Sequence, residues 1–162
     1  MNELTPVKTG REMSKSEGKE QVFVTIYVAK QLFGIPVERV QDILIPEKVA
    51  HIPLAPPEVA GAINLRGRIV TVFNVRTHLG LEQLPPGTKP MCVTVEQGSE
   101  LYSLMVDSVG AVLSLPLKRI ESNPSTLDPK WRHISGGVVQ LEKELMVVVD
   151  VDSLLSITTD AR

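Results

Sequence analysis

Three histidines, one cysteine and a closely spaced pair of aspartates are the first side chains to consider for metal or proton chemistry. His51, His78 and His133 are scattered and lack the close spacing to Cys, Asp or Glu from which metal sites are usually built, so surface or hydrogen-bonded roles suit them and no cofactor is implied. Cys92 has no partner for an internal disulfide and reads as a small buried hydrophobe in the apolar run Met91-Cys92-Val93-Thr94-Val95. Asp150 and Asp152 follow another apolar run, the position of a phospho-acceptor or metal-binding aspartate in a doubly wound fold. Together with His133 they define the enzymatic alternative, a small hydrolase. Against it, the chain has no Gly-x-Ser-x-Gly elbow, no phosphate loop ending in Gly-Lys-Ser/Thr and no His-Glu-x-x-His. An aspartate at a strand end also ordinarily caps the helical turn that follows.

The stretch Gly61-Ala62-Ile63-Asn64-Leu65-Arg66-Gly67-Arg68 is more specific. A polar turn with Asn, Arg and Gly interrupts two apolar runs, and Gly67 supplies the positive φ that a tight hairpin needs. A hairpin requires no particular charge at its tip, so an arginine there is either a solvated turn residue or part of a partner surface.

The elements that would position these residues are mainly strands. Val22, Val24, Ile26 and Val28 alternate with Phe23, Thr25 and Tyr27, and 69–73, 91–95 and 145–149 are equally rich in β-branched residues and bounded by turns. Pro36 is suited to open a short helix from Val37 to Ile43, and short helical turns are expected after Asn74 and Asp150. Pro46, Pro53, Pro56 and Pro57 keep the next stretch extended, and Leu81 to Pro90 reads as a turn or linker. The chain of 162 residues is long enough to bury a core without disulfides or metals. Its 17 Lys and Arg balance 19 Asp and Glu with no single-sign block, which argues against a nucleic-acid partner. Residues 1–20 are polar and read as a flexible tail with no secretory signal, and no apolar run is long enough for a membrane span, so a cytoplasmic location is expected.

The chain also repeats itself. Residues 32–44 align without gaps on 101–113, pairing Leu32 with Leu101, Val37 with Val106 and Val40 with Val109. Residues 61–79 align likewise on 137–155, pairing Gly61 with Gly137, Val72 with Val148, Leu79 with Leu155 and Asn74 with Asp150. The same order in both halves indicates duplication and two similar small barrels, one per half. The halves diverge at the turn, where Asn64, Arg66 and Gly67 face Gln140, Glu142 and Lys143.

GIPVERVQDI, then HIPLAPPEVAGAINLRGRIVTVFNVR, then VDSVGAVLSL resemble the CheW family of chemotaxis coupling proteins over residues 21–157, most specifically through Gly61 to Ile69. The resemblance implies a mainly β fold of two five-stranded, Src-homology-three-like barrels with short helices, the first about 21–85 and the second about 86–157, terminal strands being open to exchange, with 158–162 a C-terminal tail. It implies a non-catalytic adaptor, made of the coupling domain alone, between the regulatory domain of the histidine kinase CheA and the cytoplasmic tips of chemoreceptors. Such an adaptor would reach the inner face of the membrane only through its partners. By position the kinase-facing surface corresponds to Val24, Val37 and Val40, and the receptor-facing groove to Asp42, Gly61, Asn64, Leu65, Arg66 and Gly67. Alternation alone does not distinguish a valine facing a partner from one facing the core. Members often carry Glu where Asp42 stands, and Asp in place of Asn74; the first difference shortens the side chain's reach.

Overall fold

The computed structural model describes residues 19–46 and 48–160; most of the tail expected at 1–20, and residues 161–162, lie outside the described residues. Ten strands form two five-stranded sheets. In chain order they are β1 (Glu20–Val28), β2 (Gln31–Pro36), β3 (Val40–Leu44), β4 (Val59–Leu65), β5 (Arg68–Asn74), β6 (Met91–Gln97), β7 (Glu100–Val106), β8 (Ser108–Pro116), β9 (Ser135–Gln140) and β10 (Leu145–Val149). Three helices, α1 (Val75–His78), α2 (Pro129–Arg132) and α3 (Val151–Asp160), punctuate them. The period-two segments read from the sequence are β1, β5, β6 and β10. α1 and α3 start where expected, because Asn74 Oδ1 accepts the Thr77 amide and Asp150 Oδ1 the Ser153 amide at 3.2 Å each.

The helix expected from Val37 to Ile43 is a correction. Only Val37–Arg39 turns, as a 3-10 helix, and Val40–Leu44 is β3, paired with β6. The β-branched Val40 and Ile43 favour the extended backbone, and the β6 pairing supplies hydrogen bonds that an exposed single turn would not.

Both sheets have one plan. The first runs β8-β1-β2-β10-β9 and the second β3-β6-β7-β5-β4. Pairs are antiparallel except β2 with β10 and β5 with β7, which are parallel. The two parallel registers place Val148 beside Gly34 and Val72 beside Ser103, pairs that the repeat alignment makes equivalent. Each sheet combines the leading hairpin of one half, β1–β2 or β6–β7, with three strands of the other half. The expectation of one barrel per half is thereby corrected: a cut near residue 85 separates the sequence halves but not the sheets, because each leading hairpin pairs with strands of the other half.

Burial follows this plan. Phe23, Leu32, Val139, Met146 and Val148 fill the first sheet's interior, and Ile63, Val70, Val72 and Cys92 the second's. The largest cluster lies between the sheets, where Ile26, Phe33, Ile35, Phe73, Val93, Leu104, Trp131, Val147 and Leu155 are nearly water-free. Removing such surface from water is the main driving force of the fold.

The chain crosses between sheets at two places. β2 leads through Val37–Arg39 into β3, and β7 leads into β8 through the single residue Asp107. Asp107 accepts the amide of Ala29, which sits at φ 53° in the β1–β2 turn, at 2.8 Å. Both its carboxylate oxygens take N–H groups of Arg76 at 2.8 and 2.7 Å, in the two-pronged geometry that strengthens such pairs. The side chains are each 17% exposed. Burial by itself raises the Asp107 pKa, but the Arg76 hydrogen bond, the Ala29 amide and the Arg76 charge outweigh it and hold the carboxyl below its usual range.

A carboxylate with a depressed folded pKa stabilises the protein above its unfolded pKa, and that contribution is lost as pH falls through the folded value. Asp107→Asn is expected to remove about 2 kcal/mol at neutral pH, less than a fully buried pair because this one is partly wet. Urea unfolding at pH 7 and pH 3 would show the gap between wild type and variant closing below about pH 4; a gap that persists undiminished at pH 3 contradicts the assignment.

Candidate functional site

The β4–β5 hairpin turns in two residues. Leu65 pairs with Arg68, and Arg66 and Gly67 between them have φ of 53° and 86°. Positive φ at both positions is the turn whose twist matches that of paired strands. Gly67 adopts it freely, whereas Arg66 is a side-chain-bearing residue in the left-handed region, a conformation that costs about 1–2 kcal/mol. Asn64 Oδ1 accepts the Gly67 amide at 2.9 Å and closes the turn from inside.

Arg66 has a partner as well. Its Nη2 lies 2.9 Å from Oδ2 of Asp42 on β3. β3 and β4 are the two edge strands of the second sheet, so this pair joins edges that no backbone ladder joins. The Arg66 side chain is 76% exposed and Asp42 22%. A pair this wet adds at most about 1 kcal/mol to stability, and it leaves most of the guanidinium donors facing solvent. Leu65 is half-buried, while Arg68 and Ile69 continue the exposed surface from the tip, Ile69 at 75%. Sequence reasoning did not single out the exposed Ile43 of β3, 38% exposed between half-buried Asp42 and Leu44.

Gly61 contributes through the backbone. It is buried at φ 151°, and a Cβ there would stand 2.3 Å from the Ala50 carbonyl oxygen. Ala50 and Ala62 exchange two amide hydrogen bonds of 2.8 Å, so the absence of a side chain at 61 lets residues 49–50 cover the β4 edge. Gly137, its repeat partner, is equally placed at φ 140°, with a Cβ position 2.8 Å from the Glu121 oxygen.

The three valines separate. Val24 is 3% exposed and belongs to the core, Val37 is 40% exposed on the 3-10 turn, and Val40 is half-buried at the start of β3. Val37, Val40 and Asp42 thus follow one another along the crossover and β3, bringing the two sets of candidates onto adjoining surface. The carboxylates of the hydrolase alternative have structural partners instead: Asp150 caps α3, and Asp152 lies 2.8 Å from Arg39. His133 is exposed at the end of α2. Among the described residues no group of three His, Cys, Asp or Glu is placed to hold a metal ion.

The second sheet's hairpin has a counterpart of different chemistry. In the β9–β10 turn Leu141 donates its amide to the Glu144 carbonyl, matching the Leu65–Arg68 pairing, but Glu142 replaces Arg66 and no residue of this turn has positive φ. Ala111 stands where Asp42 would.

The model of the CheW-like domain matches residues 22–158. A chemotaxis protein CheW of Rhizobium meliloti is 25% identical over 131 residues, covering 81% of this chain and 84% of that protein. A chemotaxis protein CheW of Klebsiella aerogenes is 26% identical over 136 residues, covering 84% and 82%. In fold, the crystal structure of the scaffolding protein TtCheW from Thermoanaerobacter tengcongensis matches with a TM-score of 0.72 at 22% identity, over 81% of this chain and 89% of that one.

The contrast between the two hairpin glycines is measurable. Gly61→Ala is expected to lose at least about 3 kcal/mol in chemical denaturation, through strain and displacement of residues 49–50. Gly67→Ala, with nothing within 4 Å of the added carbon, is expected to lose only about 1 kcal/mol. The reverse order would refute the backbone role of Gly61.

Proposed function

The chain belongs to the CheW-like family, and we infer from this that it is a chemotaxis coupling adaptor; we propose further that it joins the regulatory domain of the histidine kinase CheA to the cytoplasmic tips of chemoreceptors. It does so without catalysis, by offering two surfaces on one rigid body. Among the described residues no helix is long and apolar enough to cross a membrane. The adaptor reaches the membrane's inner face through its receptors.

The single observation that carries the receptor surface is Arg66, held in a strained left-handed turn and aimed across to Asp42 with its guanidinium largely in water. Strain of that kind persists where the surroundings enforce it, and it concentrates at sites that bind. Arg66 can keep Asp42 and still donate to a carboxylate or carbonyl on a receptor helix, or exchange Asp42 for it. Gly61, Asn64 and Gly67 shape the hairpin that presents it, and Leu65 supplies apolar contact beside it. On the kinase side Val37 is the exposed apolar contact and half-buried Val40 lies beside it, whereas Val24 is in the core and acts on that surface only through the fold. A few aliphatic side chains in a patch of this kind suit a partner domain of similar fold.

The two surfaces are separable by titration of purified kinase regulatory domain and a receptor cytoplasmic fragment. Arg66→Glu is expected to weaken receptor binding about tenfold or more and to leave kinase binding and the circular dichroism spectrum unchanged, since exposed substitutions ordinarily shift stability by under about 0.5 kcal/mol. Val37→Ala is expected to weaken kinase binding about threefold, with receptor binding intact. Failure of the wild-type protein to bind either fragment at micromolar concentration would sink the reading, and unfolding by Arg66→Glu would show the arginine to be structural.

A further inference from the structure

The 3-10 turn Val37–Arg39 has almost no stability of its own. It buries none of its residues, and no side chain caps it at Pro36. One turn with a single backbone closure does not hold its shape in water, so its place is set by what its side chains grip. There are two grips. Glu38 accepts the side-chain amide of Gln21 on β1 at 2.8 Å. Arg39 reaches the other way: its Nε and Nη2 donate to the Glu96 carbonyl at the end of β6 at 3.2 and 2.9 Å, and Nη2 also lies 2.8 Å from Asp152 Oδ1 on α3. Gln97 completes the cluster, donating to the same Asp152 oxygen at 3.4 Å. The Arg39 hydrogen bond, with the Arg39 charge and the Gln97 hydrogen bond, lowers the Asp152 pKa against the opposing effect of burial.

The repeat shows what such a grip does. Arg76 and Asp152 are equivalent positions of the two halves, each the second residue of the helix that follows its strand. Each pairs with the crossover between sheets, Arg76 with Asp107 and Asp152 with Arg39. The polarity is reversed and the setting differs: the Arg76 and Asp107 side chains are each 17% exposed, whereas Arg39 is 27% and Asp152 64% exposed. One crossover is locked inside the fold; the other is held at the surface, two residues from Val37.

We propose that Arg39 is a positioning residue for the kinase-facing surface: by clasping the Glu96 carbonyl and Asp152 it sets the angle at which the 3-10 turn presents Val37. This rests on the assignment of Val37 and Val40 to the kinase. It adds that the adaptor's C-terminal helix takes part in kinase binding without touching the kinase, through the Asp152 end of the grip. The grip is exposed, so its contribution falls with added salt.

The test is titration of the kinase regulatory domain and, separately, the receptor fragment with the full chain carrying Arg39→Ala, Asp152→Ala, or the exchanged pair Arg39→Asp with Asp152→Arg, beside Val37→Ala. Arg39→Ala is expected to weaken kinase binding by no more than Val37→Ala does, about threefold, and Asp152→Ala about twofold, within the range open to an exposed pair. Receptor binding should be unchanged. The exchanged pair restores the ion pair but not the donation to the Glu96 carbonyl, so it should recover no more than the twofold share carried by Asp152, and the difference between wild type and Arg39→Ala should shrink at high salt. Asp152 is so exposed that its variant keeps the test valid even where Arg39→Ala lowers stability. Wild-type kinase affinity in both Arg39→Ala and Asp152→Ala, while Val37→Ala weakens it, overturns the positioning role and leaves the adaptor reading standing. Wild-type affinity in all of them, Val37→Ala included, removes the kinase-facing assignment as well. Equal losses toward kinase and receptor overturn the proposal too, because they mark a general structural effect.

Discussion

The two parallel pairings, β2 with β10 and β5 with β7, are the constraint on which the molecule depends. Each joins a strand of one sequence half to a strand of the other, so neither sheet is complete until both halves are present. Parallel neighbours cannot be linked by a tight turn, which forces long connections and places crossovers and helices between the sheets. The apolar layer between the sheets follows directly, because both must turn a face toward the same space. The result is one body with two similar sheets, not two domains on a linker, and surfaces on different sheets keep a fixed relation to each other.

On that shared frame the polar residues differ. Equivalent positions carry Arg66 and Glu142 at the hairpins, Asp42 and Ala111 on the edge strands, Arg76 and Asp152 on the helices. The apolar positions agree because the same geometry must be filled twice, as with Val72 and Val148 in the two interiors. Charge at an exposed turn is under no such demand, so it is free to serve a partner. An adaptor needs this asymmetry: two identical surfaces would bind one kind of partner twice, whereas a cationic strained hairpin and an apolar exposed turn recognise different chemistries.

Much of this was legible in the residues and some was not. The alternating valines declared the strands, Asn74 and Asp150 declared the helix starts, and the ungapped repeat foretold two equivalent sheets. Gly61 was marked by its motif, but its burial depends on Ala50, a contact across a proline-rich loop that no local pattern encodes. Val24 could not be assigned from alternation, since a strand covered on both faces buries both sets of its side chains; the fold puts it in the core. The turn at Val37 was read too long because Pro36 is a sound helix start, while the competing pull of β6 lies far along the chain. The Arg39–Asp152 pair spans 113 positions and is visible only once the strands have crossed.

We propose that one chain holds a kinase and a receptor at the same time on adjoining surfaces that meet along β3. The most direct measurement is analytical ultracentrifugation of the chain with the kinase regulatory domain and the receptor cytoplasmic fragment, all above their separate dissociation constants. The account predicts a three-component complex that sediments faster than either pair. Competition, in which the receptor fragment displaces the kinase domain and only two-component complexes form, would contradict it.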